Sequence, residues 1–163
     1  MIIILTGPAA SGKNTISHIV YQKRTKCIVI DVDVLRHMII PHKAPWDGKE
    51  GKNQQKLGVE NACSRAINFE NNGSDVLILD VLQNDTAQLY QELLKDYQLK
   101  IVLLMPSFEE AHKRFMARDH SITEEEFRLV YKWQQELTVY DEKIDNTNMT
   151  AEECAEKLNI LRN

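Results

Sequence analysis

The sequence holds few of the residues from which a disulfide framework or a zinc site is built. It has three cysteines, Cys27, Cys63 and Cys154, far apart, with no CxxC pair and no Cys/His cluster. That spacing argues against a structural zinc site. An odd, scattered set reads as reduced thiols acting as small buried hydrophobes in a cytoplasmic protein. No apolar run is long enough to cross a bilayer, and the apolar start at residues 1–5 is too short for a signal peptide and has no basic flank. Excess positive charge is also missing: the formal net charge is −4, so no nucleic-acid partner is expected for the chain as a whole. There is no internal repeat, low-complexity tract or linker. The 163 residues fit one domain with a substantial core, spanning 1–163.

Short apolar runs alternate with helical periodicity along the whole chain. Strands are predicted at 2–5, 27–30, 76–79 and 101–105, with a short fifth at 143–145. Helices are predicted at 13–22, 35–40, 54–70, 86–95, 107–118 and 127–137, with a last one from Thr150 to about Leu161. Residues 41–52, rich in Pro, Gly and charge, read as a loop. Val59, Ala62, Cys63, Ala66 and Ile67 form the apolar stripe of the 54–70 helix, and Asn71-Asn72-Gly73 ends it. Ser107/Glu110, Thr123/Glu126 and Thr150/Glu153 have capping-box spacing. Strands continuous in apolar residues and alternating with helices predict an α/β fold with a parallel sheet covered on both faces. Ligands of such sheets bind at the carboxyl ends of the strands, where Gly7, Asp31 and Asp80 fall.

Gly7-Pro8-Ala9-Ala10-Ser11-Gly12-Lys13-Asn14-Thr15 lies between the first strand and the first helix. Two glycines bracketing four residues, followed by lysine, make a phosphate loop (P-loop). Its backbone N–H groups turn inward onto phosphate oxygens, the helix N-terminus adds its dipole, and Lys13 reaches the β- and γ-phosphates. These nine residues are the candidate ATP site. A Ser or Thr normally follows the lysine and ligates Mg2+. Here Asn14 stands there, a neutral amide whose carbonyl oxygen can still face a hard cation. In this it is similar to adenylate kinases, which carry glycine there, followed by threonine, and hold magnesium largely through phosphates and water.

Asp31 and Asp33 follow the second strand, with Arg36 three residues on. A carboxylate beside a γ-phosphate can orient an acceptor hydroxyl and take its proton. Either aspartate can instead cap the helix that follows. At this segment the sequence resembles the small-molecule kinases of the shikimate kinase, gluconate kinase and chloramphenicol phosphotransferase type. The resemblance implies a three-layer P-loop NTPase fold with a five-stranded parallel sheet in order 2-3-1-4-5 and a short lid at about 114–124. It places Asp31 toward the metal and Asp33 on the acceptor as base. It also implies that Arg114 and Arg118, four residues apart, close over the moving phosphoryl group, and that residues of about 33–70 bind the acceptor. Asp80, at the end of an apolar strand, resembles a Walker B aspartate and is a further metal candidate.

Arg36, Trp46 and Arg65 are candidates for the acceptor pocket, with His42 and Lys43 nearby. Trp46 can equally be a packing anchor, Arg36 a solvated helix residue, and the arginine pair partners of Glu110. Asp145-Asn146-Thr147 resembles the segment under the adenine in this group. The expected activity is ATP- and Mg2+-dependent phosphoryl transfer to a hydroxyl of a small molecule, by a cytoplasmic monomer or homodimer with no membrane association. The alternatives are a nucleotide-binding regulator with little turnover, which Asn14 would suit, and a kinase of nucleotides or nucleic-acid ends.

Overall fold

A computed structural model describes residues 1–160. Five strands, β1 (Ile2–Thr6), β2 (Cys27–Asp31), β3 (Asp75–Leu79), β4 (Leu99–Leu104) and β5 (Glu142–Ile144), form one sheet in the order β2-β3-β1-β4-β5. Every pairing is parallel. The expected strand order is the one observed. Among the described residues seven helices lie between and after the strands: α1 (Lys13–Gln22), α2 (Val32–Arg36), α3 (Gly48–Asn71), α4 (Asn84–Leu93), α5 (Phe108–Met116), α6 (Glu124–Gln135) and α7 (Ala151–Ile160). The expected end of the last helix near Leu161 lies outside the described residues.

Successive strand residues point to opposite faces. Ile2 and Ile4 of β1 join one core cluster with residues of α3, α4, α5 and α6. Ile3 and Leu5 join a second with residues of α1 and α7. A strand buried on both sides must be apolar at every position, which is why 2–5 shows no alternation. Cys27, Cys63 and Cys154 are free and buried, as small hydrophobes would be.

Two boundaries depart from the sequence reading. The helix expected at 35–40 occupies Val32–Arg36 instead. Asp31 accepts the Asp33 N–H at 3.0 Å, so the turn winds directly off the strand end. Ile40 precedes Pro41, a position that disfavours helical backbone. The helix expected to open at Gln54 begins at Gly48. Residues 41–47 are strapped onto its first turns: Gln54 Nε2 donates to Pro41 O at 3.0 Å, and the Lys43 N–H donates to Gln54 Oε1 at 2.8 Å. At Gly51 the Ala44 carbonyl fills the space a Cβ would need. Tertiary contact here overrides the low helix propensity of two glycines.

The Thr123/Glu126 and Thr150/Glu153 pairs make the reciprocal bonds expected of capping boxes. Ser107 accepts the Glu110 N–H at 3.2 Å, but its own N–H goes to Thr147 Oγ1 at 2.8 Å. Glu110 is drawn away by Arg114. Among the described residues, no helix is long and apolar enough to cross a membrane.

Candidate active site

The carboxyl ends of β1, β2 and β3 open onto a cleft of about 600 Å³. Its floor is the loop between β1 and α1. Gly7 has φ +153°, and a Cβ there would run into the Leu104 carbonyl and lie 2.7 Å from Ser11 Oγ. Ala10 at φ 62° and Gly12 at φ 96° also hold left-handed backbone. Such alternation curls a chain so that its N–H groups converge. Gly12 is the N-cap of α1, and no side chain caps that helix. The first N–H groups of α1, on Lys13, Asn14 and Thr15, have no intrahelical acceptor and stand at the positive end of the helix dipole. Asn14 and Thr15 are exposed to the cleft.

The Lys13 ammonium donates to Gly7 O at 2.7 Å and to Pro8 O at 3.0 Å. The side chain keeps some solvent contact, yet protein closes around its Nζ. Loss of solvation pulls the ammonium from 10.5 down to about 8. Asp33, Asp80 and Asp31 oppose that shift, and Arg118 adds to it. Residues from three separate segments therefore act electrostatically on one nitrogen.

Asp31, Asp33 and Asp80 all line the cleft. Burial and the neighbouring Asp33 charge raise the Asp31 carboxyl, opposed by the backbone N–H groups it caps. Asp31 thus combines capping with a place at the cleft. Asp33 lies in the first turn of α2 with its side chain 62% exposed, and accepts from Arg36 Nη1 at 3.1 Å. Asp80 is buried, and loss of solvation pushes it up to about 6. Its oxygens accept from Tyr90 Oη at 2.9 Å and from the Val81 N–H at 2.7 Å, which fixes the carboxyl plane.

The two arginines do not share a helix face. α5 ends at Met116, so Arg118 lies beyond the cap in the segment 117–123. Arg118 is exposed and lines the main cleft. Arg114 does not line that cleft. It pairs with Glu110 at 2.8 Å and donates to the carbonyls of Asn146 and Thr147. Both arginines border a smaller cavity of about 290 Å³ on the other side of the loop, with Asn146, Met149 and Thr150. Asn146 Nδ2 donates to Ser11 O at 2.8 Å and ties this rim to the phosphate loop.

Of the acceptor candidates, Arg36, His42 and Trp46 line the main cleft. Arg65 is exposed on α3 and is not among the cleft residues, and Lys43 is also exposed outside it. The 33–70 segment reaches the cleft only through its first part, because α3 runs away from it.

Residues 1–161 match the family described as chloramphenicol phosphotransferase-like protein. The chain belongs to that family. No curated protein matches the sequence. Among solved structures, a sugar kinase from Janibacter sp. HTCC2649 has a TM-score of 0.74 at 14% identity, covering 96% of this chain and 91% of its own. The APS kinase of Mycobacterium tuberculosis, in complex with AMPPNP and APS, gives 0.68 at 15% identity, with coverage of 99% and 97%. Shikimate kinase from Acinetobacter baumannii, in complex with shikimate, gives 0.66 at 21% identity, with coverage of 99% and 92%. At such identities the likeness is one of fold, and the fold is that of P-loop kinases. Family and fold together support a kinase-type phosphotransferase.

Several residues of this chloramphenicol phosphotransferase-like site escaped the sequence reading. Trp133 and His37 line the cleft. Tyr90 orients Asp80. Gln134 is fully buried and bonds Thr6 and Leu82. A signal for Gln134 was present: it falls on the buried stripe Phe127, Val130, Tyr131, Gln134 of α6. An amide on an otherwise apolar stripe needs a buried partner. Nothing local marks the other three, because their partners come from elements distant in sequence.

Proposed function

We propose that this protein is an ATP-dependent phosphotransferase that moves the γ-phosphoryl group to a hydroxyl of a small molecule. The observation that carries the reading is one cleft in which a phosphate loop faces the acidic pair Asp31 and Asp33, the cation Arg118 and an aromatic wall. The α1 N–H groups and Lys13 take the β- and γ-phosphates. Once phosphate oxygens replace the carbonyls of Gly7 and Pro8, the Lys13 ammonium completes the cradle. Asp33, exposed beside the loop, takes the acceptor hydroxyl as hydrogen-bond partner and accepts its proton as the oxygen attacks phosphorus. Arg118 stabilises the equatorial oxygens of the moving group. Arg114 acts on the nucleotide side, holding the Asn146–Thr147 carbonyls against the phosphate loop.

Among the described residues there is no group of three or more His, Cys, Asp or Glu able to hold a metal ion. The hard oxygens of Asn14, Asp31 and Asp80 around the cleft nevertheless fit Mg2+ shared with phosphate and water. These three residues would hold it, and it would supply neutralisation of the negative charge of the phosphates.

The test is ADP release with ATP and magnesium across sugars, sugar acids, nucleosides and aryl alcohols. Asp33→Asn should then lower the rate by roughly 100-fold while leaving ATP affinity intact. ATP binding without transfer to any acceptor would favour a regulatory nucleotide-binding role instead.

A further inference from the structure

Three features of the cleft wall play no part in the transfer step just described. The first is Arg36. Its side chain is 7% exposed. Gly58 of α3 clasps the stem so closely that a Cβ there would lie 2.8 Å from Arg36 Cγ. Nη1 makes one bond to Asp33, while Nε is buried with no partner. A guanidinium carries five donors in a plane that matches two oxygens of one oxyanion. Holding Asp33 uses a single donor and leaves Nε unpaired, so that role alone does not account for the residue. A buried, unpaired, charged donor is a cost the fold sustains.

The second feature is a histidine pair on the same wall. The rings of His37 and His42 stack at 4.1 Å, and both line the cleft. His37 Nδ1 donates to Asp33 O at 2.6 Å and His42 Nδ1 to Arg36 O at 3.3 Å. A carbonyl can only accept, so each Nδ1 carries the hydrogen, and an Nε2 without one is left to accept from a ligand hydroxyl. The third feature is a pair of tryptophans. Trp46 and Trp133, the two in the sequence, stand 6.1 Å apart with rings tilted 49°. Both line the cleft.

We infer that the phosphoryl acceptor is an alcohol bearing both a flat ring and an oxyanion. Its carboxylate, phosphate or sulfate takes the unused donors of Arg36 beside His37 and His42, and its ring lies against Trp46 and Trp133. Two tryptophans beside Glu126 could instead box a cation. That carboxylate is already committed: Oε1 accepts from Trp46 Nε1 at 3.1 Å, and Oε2 from the Thr123 N–H at 2.7 Å. The unpartnered polar atom on this wall is a guanidinium donor, Arg36 Nε, so the ligand group it selects is an acceptor such as an oxyanion. The inference rests on the phosphotransferase reading for the ligand's role as acceptor.

Because both tryptophans line the site, intrinsic fluorescence reports its occupancy directly. The probes are mandelate and 4-(hydroxymethyl)benzoate, each against its methyl ester, with lactate as an acid lacking a ring, in the presence of a non-hydrolysable ATP analogue. The acids with rings should quench with a Kd at least about 10-fold below that of the esters and of lactate. Arg36→Met should erase the preference for acid over ester. Arg36→Lys, which keeps charge but loses the fork, should retain only part of it. Esters binding as tightly as acids, a preference that survives Arg36→Met, or no quenching by either acid would overturn the inference. Calorimetry with ATP on each variant checks the fold. If Arg36→Met does not bind ATP, the Arg36→Lys comparison decides. Normal ATP binding with a negative probe result defeats this inference alone, whereas absence of ATP binding by the unaltered protein defeats the phosphotransferase reading.

Discussion

Thr6 and Gln134, 128 residues apart, share a 2.9 Å hydrogen bond in a region closed to solvent. Gln134 Nε2 donates onward to Leu82 O at 2.6 Å, and the Leu82 N–H donates back to Thr6 Oγ1 at 3.0 Å. This closed ring ties the end of β1, the segment after Asp80 and α6 together. It sets the distance between the phosphate loop and the wall that carries Trp133. Gln134→Met keeps the volume but strands the Thr6 hydroxyl hydrogen and the Leu82 carbonyl. The expected loss is about 2–3 kcal/mol in urea unfolding, from two buried polar groups without partners. A change under about 0.5 kcal/mol would mean the ring is dispensable.

Lys13 gives a proton signature. Its ammonium lies near 8 in the fold against 10.5 for the free side chain. The unfolded chain therefore holds more protons between those values, and the contribution of this group to stability rises as pH climbs from about 8 to about 10.5. On the proposed reading ATP takes the charged form, so association near pH 8 should take up a fraction of a proton. Calorimetric heats in two buffers of different ionisation enthalpy measure that uptake. Lys13→Arg should abolish it, because a guanidinium stays protonated. Equal heats in both buffers for the unaltered protein would remove Lys13 from the phosphate site. Lys13→Ala should weaken ATP binding or end turnover.

Asp80 carries a cost in stability at neutral pH. Its carboxyl is raised from 3.8 to about 6 by loss of solvation, so the fold binds more protons than the unfolded chain between those values. Stability should fall as pH rises through that window, leaving an ionised buried carboxylate at neutrality. Asp80→Asn should then be more stable at pH 7 by about 1–3 kcal/mol and flat across the same window, yet slower in magnesium-dependent turnover. A less stable variant at pH 7 would show that the bonds to Tyr90 and Val81 outweigh the burial cost.

Asn14 tests the metal. It is exposed in the first turn of α1, facing the cleft. Asn14→Ser should lower the magnesium concentration at half-maximal rate, since a hydroxyl at this position is the usual ligand. An unchanged magnesium dependence would place the ion on the side of Asp31 and Asp80.

Local chemistry is enough to specify part of this protein. The phosphate loop is legible because its function resides in backbone geometry, and glycine spacing encodes backbone geometry directly. The parallel sheet is legible because a strand covered on both faces must be apolar throughout, as residues 2–5 are. The Thr123 and Thr150 caps are legible because each closes within three residues. Other features are products of tertiary assembly alone. The early start of α3 depends on Gln54 holding a loop folded back onto it. Arg114 and Arg118 have helical spacing, yet α5 stops between them, and of the two only Arg118 reaches the main cleft. The pairing of Trp46 with Trp133, the close packing of Gly58 on the Arg36 stem, and the Thr6–Gln134 ring join residues that no window along the chain contains. Side-chain partnerships across a core are set by how layers stack, and that stacking is an outcome of the whole chain's packing, not of any segment's composition.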